Sequence, residues 1–90
     1  MLKIYPTGKF KKDLKLAQKR GYKLELLQNI IVKLSNEEKL AAKYRDHNLE
    51  GEYKGCRECH ITPDWLLIYK IVDDELLLIL TRTGTHSDLF

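Results

Sequence analysis

Along this chain, apolar positions recur first with the period of a helix and later with the period of a strand. Leu2-Lys3-Ile4-Tyr5 alternates and is broken by Pro6-Thr7-Gly8, which predicts a short first strand. From Lys9 to Arg20, Phe10, Leu14 and Ala17 share one helical face with Leu16 beside them, and Gly21 supplies the stop. A second helical stretch runs from about Lys23 to Leu34. It is striped by Leu24, Leu27, Ile31 and Leu34 and widened by Leu26 and Ile30. Two short helices joined at Gly21 are expected to pair antiparallel, and Ser35-Asn36-Glu37-Glu38 to cap one further turn.

Past this point the pattern changes. Residues 43–55 are polar, carry Gly51 and Gly55, and read as loop plus a short strand. Strands are predicted over 56–61, 65–72 and 75–82, parted by the turns Thr62-Pro63-Asp64 and Val72-Asp73-Asp74, and together they form an antiparallel meander. A polar tail follows from Gly84 to Phe90. The order βααβββ indicates an α+β fold: two N-terminal helices on one face of a small, mainly antiparallel sheet joined by the first strand. The opposite face is then expected to be free for function. No repeat or linker interrupts residues 1–90, which read as one domain.

Composition narrows the class without naming a function. The chain is 43% hydrophobic and 32% charged, with few Gly and Pro, as in an ordinary globular protein. Its longest apolar runs, such as Trp65-Leu66-Leu67-Ile68-Tyr69, are far short of a membrane span. Met1-Leu2-Lys3-Ile4-Tyr5-Pro6 has neither the apolar core nor the cleavage site of a signal peptide, so the expected compartment is the cytoplasm. The net charge of +3 hides a split: residues 1–33 carry +7 and residues 34–90 carry −4. A basic half suits phosphate or an acidic protein partner. The plainer reading is that Lys11, Lys12, Lys15 and Lys19 form the wet face of a helix.

Cys56-Arg57-Glu58-Cys59-His60 matches the pattern for covalent haem attachment. Three features argue against it. No export signal is visible, the only methionine is Met1, and strand alternation sends Cys56, Glu58 and His60 one way and Arg57, Cys59 and Ile61 the other. Zinc is not expected either, because no second ligand pair stands at a useful spacing. Cys59 reads as a small core residue and Cys56 as incidental.

The three histidines form a stronger constellation. His47 lies in the polar loop, His60 ends a strand, and His86 lies in the tail, none of them in an apolar helical stripe. Asp64 follows His60 by four positions, and Arg82 precedes His86 by four. If the strands form a meander, these positions converge at one rim. RNA cleavage needs a base for the ribose 2′-hydroxyl, an acid for the departing 5′-oxygen and a cation for the phosphorane. Histidine suits the proton roles because its unperturbed pKa is about 6.5, and arginine suits the third. No metal or other cofactor is required in that scheme. Each residue also has an ordinary explanation: loop, surface strand, turn former, salt-bridge partner. Trp65 and Tyr69 share a strand face. Either could stack on a base, although Tyr69 reads as core. Phe90 is an aromatic directly after a polar tail, which suits either docking of the ring in a pocket or use of its carboxylate.

Three segments together resemble the YafQ-like branch of the RelE/ParE toxin superfamily. They are Tyr44 to Gly51, Arg57 to Tyr69 and Arg82 to Phe90, with Lys12-Asp13 and Leu16-Ala17-Gln18-Lys19-Arg20 in the helical half. The resemblance implies a RelE-like α+β toxin of a type II toxin–antitoxin pair that cuts messenger RNA in the ribosomal A site. Its partners would be the messenger, the ribosome and a cognate antitoxin, with no membrane, haem or zinc. It matches His47, His60, Asp64 and His86 to the family's acid–base set, Arg82 to its phosphate-contacting arginine and Phe90 to its terminal aromatic. His47 is then the expected base and His86 the expected acid, with Asp64 and His60 orienting them. Lys54, Arg57 and Trp65 are the candidate RNA contacts. Other readings of the same fold are a non-catalytic binding module, a ParE-like gyrase poison and a ribonuclease that acts without the ribosome.

Overall fold

The alternating second half of the chain becomes a sheet, and the helical first half covers one side of it. In the computed structural model, which describes residues 1–90, β1 (Lys3–Pro6) leads into α1 (Gly8–Lys19) and α2 (Leu24–Ser35). Then follow β2 (His47–Asn48), β3 (Arg57–Thr62), β4 (Trp65–Val72), β5 (Leu77–Gly84) and α3 (His86–Leu89). Single 3₁₀ turns occupy Ala42–Tyr44, Gly51–Tyr53 and Asp73–Glu75. The strand order is β1-β5-β4-β3-β2, with β1 parallel to β5 and every other neighbour antiparallel. No helix is long and apolar enough to cross a membrane.

Local chemistry starts and stops the helices as their sequence implies. Thr7 caps α1: its hydroxyl accepts from the Phe10 N–H at 3.0 Å and donates to the Thr81 carbonyl at 2.8 Å, which fixes the helix start to β5. Gly21, at φ +77°, takes the left-handed turn that ends α1 and that an L-residue resists. The core then divides by the period-two rule. On β4, Trp65, Leu67 and Tyr69 face the helices and pack with Phe10, Ala17, Leu27, Ile30 and Leu34. Leu66 and Ile68 face the other way and pack with Leu89, Leu49, Tyr53 and Cys56.

The structure departs from the sequence reading or adds to it in three places. The helices lean mainly on the sheet, α1 along β5 and α2 over β3, more than on each other. Their apolar stripes are wide enough to be spent on strands. The face opposite the helices is not bare: α3 and the Gly51–Tyr53 turn bury a small second core there. The tail, read only as polar, contains a helical turn at His86–Leu89.

A bulge in β5 decides where one candidate goes. Ile68 pairs with Arg82 and Tyr69 with Leu80, so Thr81 is an extra residue in the ladder. Strict alternation from Leu78 and Leu80 would place Arg82 among the helices. The bulge instead sets it opposite Ile68, on the face that carries α3, at the sheet edge left open beyond β1.

Candidate active site

On β3, alternation buries Cys59 and Ile61 under the helices and turns Glu58 and His60 to the opposite face. β2 is only two residues long, yet it pairs His47 directly with Glu58. One Glu58 oxygen therefore lies 3.5 Å from His47 Nε2 and 3.7 Å from His60 Nε2, and the two rings are 6.4 Å apart. Glu58 is only 6% exposed, and its other oxygen has no hydrogen-bond partner. An ionised carboxylate left so poorly satisfied costs stability, a cost that proteins tolerate mainly at functional sites. Its charge is placed to stabilise an imidazolium formed at either ring.

A second network holds this segment in place. Arg57 donates from Nε and Nη2 to Asp46 at 3.3 and 3.1 Å and from Nη1 to Asn48 at 2.7 Å, and the Tyr69 hydroxyl donates to the same Asp46 carboxylate. Asp46 raises the Arg57 pKa, and burial with this carboxylate pushes the Tyr69 hydroxyl well above its ordinary value. Next to this clamp, His47 Nδ1 stands 2.6 Å from the Arg45 carbonyl. A carbonyl only accepts, so Nδ1 carries the proton and the neutral ring presents Nε2 as its basic atom.

At the rim formed by the turn between β3 and β4, His60, Asp64 and His86 line one cleft of about 450 Å³ with Tyr22, Pro63 and Thr85. His86 opens α3, and its ring stacks on Phe90 at 4.9 Å and 26°. Phe90 meets the edge of Tyr53 at 5.4 Å and is 54% exposed. Arg82 donates from Nε and Nη2 to Asp13 at 2.7 and 3.0 Å, and Asp13, with Tyr53 nearby, raises its pKa.

Of the expected catalytic residues, the structure therefore brings His60, Asp64 and His86 around one cleft, sets His47 beside His60 through Glu58, and stacks Phe90 on His86. It answers the expected RNA contacts differently. Trp65 is 3% exposed and packs on Tyr22 at 5.0 Å, so its ring is covered instead of open to a base. Arg57 spends its guanidinium on Asp46 and Asn48. Lys54 stays exposed in the loop before β3. Cys56 and Cys59 are free thiols on opposite sheet faces, and burial, helped by Asp46 and Glu58, pushes the Cys59 thiol up to about 12. No group of three or more His, Cys, Asp or Glu side chains is arranged to hold a metal ion. Sequence reasoning missed Glu58, Asp13 and Asp46. The alternation 56-58-60 already put Glu58 on the face of His60, but only the β2–β3 register brings in His47.

Residues 2–90 match the family model described as the bacterial toxin of a type II toxin–antitoxin system, YafQ. The chain belongs to the YafQ toxin family. The mRNA interferase toxin YafQ of Escherichia coli strain K12 is 47% identical over 85 residues, spanning 93% of this chain and 90% of that protein. The crystal structure of YafQ from E. coli strain BL21(DE3) gives a TM-score of 0.93 at 44% identity, covering 100% of this chain and 99% of that one. The E. coli DinJ–YafQ toxin–antitoxin complex matches at 0.89 and 46%, covering 99% and 97%. The RelE-like α+β fold expected of a YafQ-family toxin is thus the fold observed.

Proposed function

We propose that this YafQ-family toxin is an endoribonuclease that cuts messenger RNA in the ribosomal A site by general acid–base catalysis. The observation that carries the reading is the single cleft lined by His60, Asp64 and His86, with His47 held beside it through Glu58. The base, His47 through Nε2, takes the proton of a ribose 2′-hydroxyl. The oxygen attacks the adjacent phosphorus, the bond to the 5′-oxygen breaks, and His86 returns a proton to that leaving oxygen. A 2′,3′-cyclic phosphate remains, and water opens it to a 3′-phosphate and a free 2′-hydroxyl. Glu58 stabilises the positive ring, and Asp64 and His60 orient substrate and base. Arg82, held by Asp13, supplies the fixed cation for the phosphorane charge, and Phe90 backs the His86 ring.

The 90 residues act as one catalytic unit in the cytoplasm, where messenger, ribosome and a cognate antitoxin are available. The test is to incubate the protein with a short messenger, with and without programmed ribosomes, and map the cut ends. Ribosome-dependent cleavage leaving a cyclic or 3′-phosphate is expected. His86→Ala should lower its rate by about 10²–10⁴ with the fold retained, the usual contribution of a positioned proton donor. Cleavage of naked RNA alone would keep the chemistry and remove the ribosome from the mechanism. No cleavage from protein that still arrests growth would favour the gyrase-poison or binding-module reading.

A further inference from the structure

The turn that carries His86 is too short to hold itself. α3 has four residues, and a helix of one turn fixes more backbone than its own hydrogen bonds repay. Its conformation is imposed from outside, and the Asp88 carboxylate is where the contacts meet. One Asp88 oxygen accepts from the Thr85 N–H at 2.9 Å, while the Thr85 hydroxyl accepts from the Asp88 N–H at 3.2 Å, a closed capping box around the first turn. Arg20, which follows α1 directly, then grips both oxygens of that carboxylate with Nη1 at 2.6 Å and Nη2 at 3.2 Å. The approach needs Gly84: a Cβ there would stand 3.0 Å from one carboxylate oxygen and 3.1 Å from Asp88 Cβ. Leu89 is buried and its carbonyl accepts from the Tyr53 hydroxyl at 3.1 Å, which seats the far end of the turn. The Arg20 fork is the ion pair that joins the turn to α1, and its two parallel bonds fix direction as well as distance.

We propose that Arg20 and Asp88 are positioning residues for His86: the strut between α1 and the last turn sets the direction in which the imidazole meets the cleft. The proposal rests on His86 being the proton donor of the proposed reaction. A pair about one-third and one-quarter exposed adds little to global stability. A proton donor displaced by an ångström, by contrast, loses rate steeply. Loss of the strut therefore appears in kcat and not in the melting temperature.

The experiment compares Arg20→Ala, Arg20→Lys, Asp88→Asn and the double variant Arg20→Ala/Asp88→Asn in the ribosome-dependent cleavage assay, with His86→Gln alongside. Asp88→Asn keeps one oxygen for the Thr85 cap but loses the charge and replaces the other oxygen with an amide nitrogen that cannot accept from Arg20. Expected are a roughly ten- to hundredfold drop in kcat for Arg20→Ala and Asp88→Asn. KM should change less than about twofold and Tm less than about 2 °C. Arg20→Lys should fall between, since one ammonium cannot hold both oxygens. The double variant should be no worse than either single one, because the two residues act as a unit. Wild-type kcat in Arg20→Ala, a double variant at the product of the single losses, or losses that track Tm would each overturn the strut. Faster cleavage and lower KM in Asp88→Asn would instead make the released Arg20 a direct RNA contact and would also overturn it. A fully active His86→Gln would sink the reading of the site itself, whereas an inert His86→Gln beside an undisturbed Arg20→Ala would sink the strut alone.

Discussion

At the scale of single residues, the least expected finding is the burial of Glu58 between two imidazoles. Burying an incompletely paired charge lowers stability, and removing such a charge while keeping the shape is often neutral or stabilising. Glu58→Gln should therefore leave Tm unchanged or higher while turnover falls at least about tenfold, because no fixed charge then meets the imidazolium. A melt and a rate taken on the same sample decide it; wild-type turnover would make Glu58 a packing residue. Cys59 gives a converse case. With its thiol held up at about 12 by burial, it should resist iodoacetamide at pH 8 in the native protein and react once unfolded, as mass spectrometry would show. The three histidines, Asp64 and Arg82 stood out because imidazoles, a carboxylate and a guanidinium near strand ends suit proton transfer and phosphate contact, and the family resemblance marked the same five. Glu58 and Asp13 did not. A carboxylate in a strand or on a helix face declares its role only through the partner that folding brings to it, and for the same reason neither the burial of Trp65 nor the pairing of Arg57 with Asp46 was visible in the sequence.

At the scale of elements, period and turn chemistry carried the reading far. Both long helices and the three-strand meander lie within about two residues of their expected ranges, since wide apolar stripes and Pro-Asp or Asp-Asp turns leave few alternatives. The last turn, α3, was illegible because Thr85-His86-Ser87-Asp88 has no apolar period. What makes it helical is a cap and an arginine sixty-eight positions away. That origin has a pH signature. Arg20, with the Thr85 N–H, holds the Asp88 carboxyl well below the usual carboxylate range. A group depressed on folding lends stability that is whole above its ordinary pKa, about 3.9, and lost as pH falls through the folded value. Amide protection at Leu89 and Phe90, corrected for intrinsic exchange, should stay flat from pH 7 to about 5 and decline below about 4. In Asp88→Asn it should be lower and lack that decline. Parallel curves for the two proteins would remove Asp88 from the docking of the turn.

At the scale of the whole molecule, the division of charge seen in the sequence acquires a geometry. α1 turns Ala17 and Phe10 to β5, joins Asp13 to Arg82 and leads into Arg20, which grips Asp88, so its inner side is occupied by the core and the site. Lys9, Lys11, Lys12, Lys15 and Lys19 remain exposed, and none enters an ion pair. Unpaired lysines on one helix are what a polyanion would meet, although solvation alone would also place them there. Salt separates the two cases. Each lysine that neutralises a phosphate of single-stranded RNA adds about 0.7 to the slope of log affinity against log salt. Lys11→Gln/Lys12→Gln/Lys15→Gln/Lys19→Gln should therefore flatten that slope by about 3 if all four meet phosphate. Their positions lie away from Glu58 and His60 on the opposite sheet face, so kcat at saturating substrate should hold while KM rises. Measuring binding of programmed ribosomes across a salt series gives the slope directly. An unchanged slope would mean that the basic helix serves solubility alone, and that the toxin is guided to its substrate by the cleft and its rim.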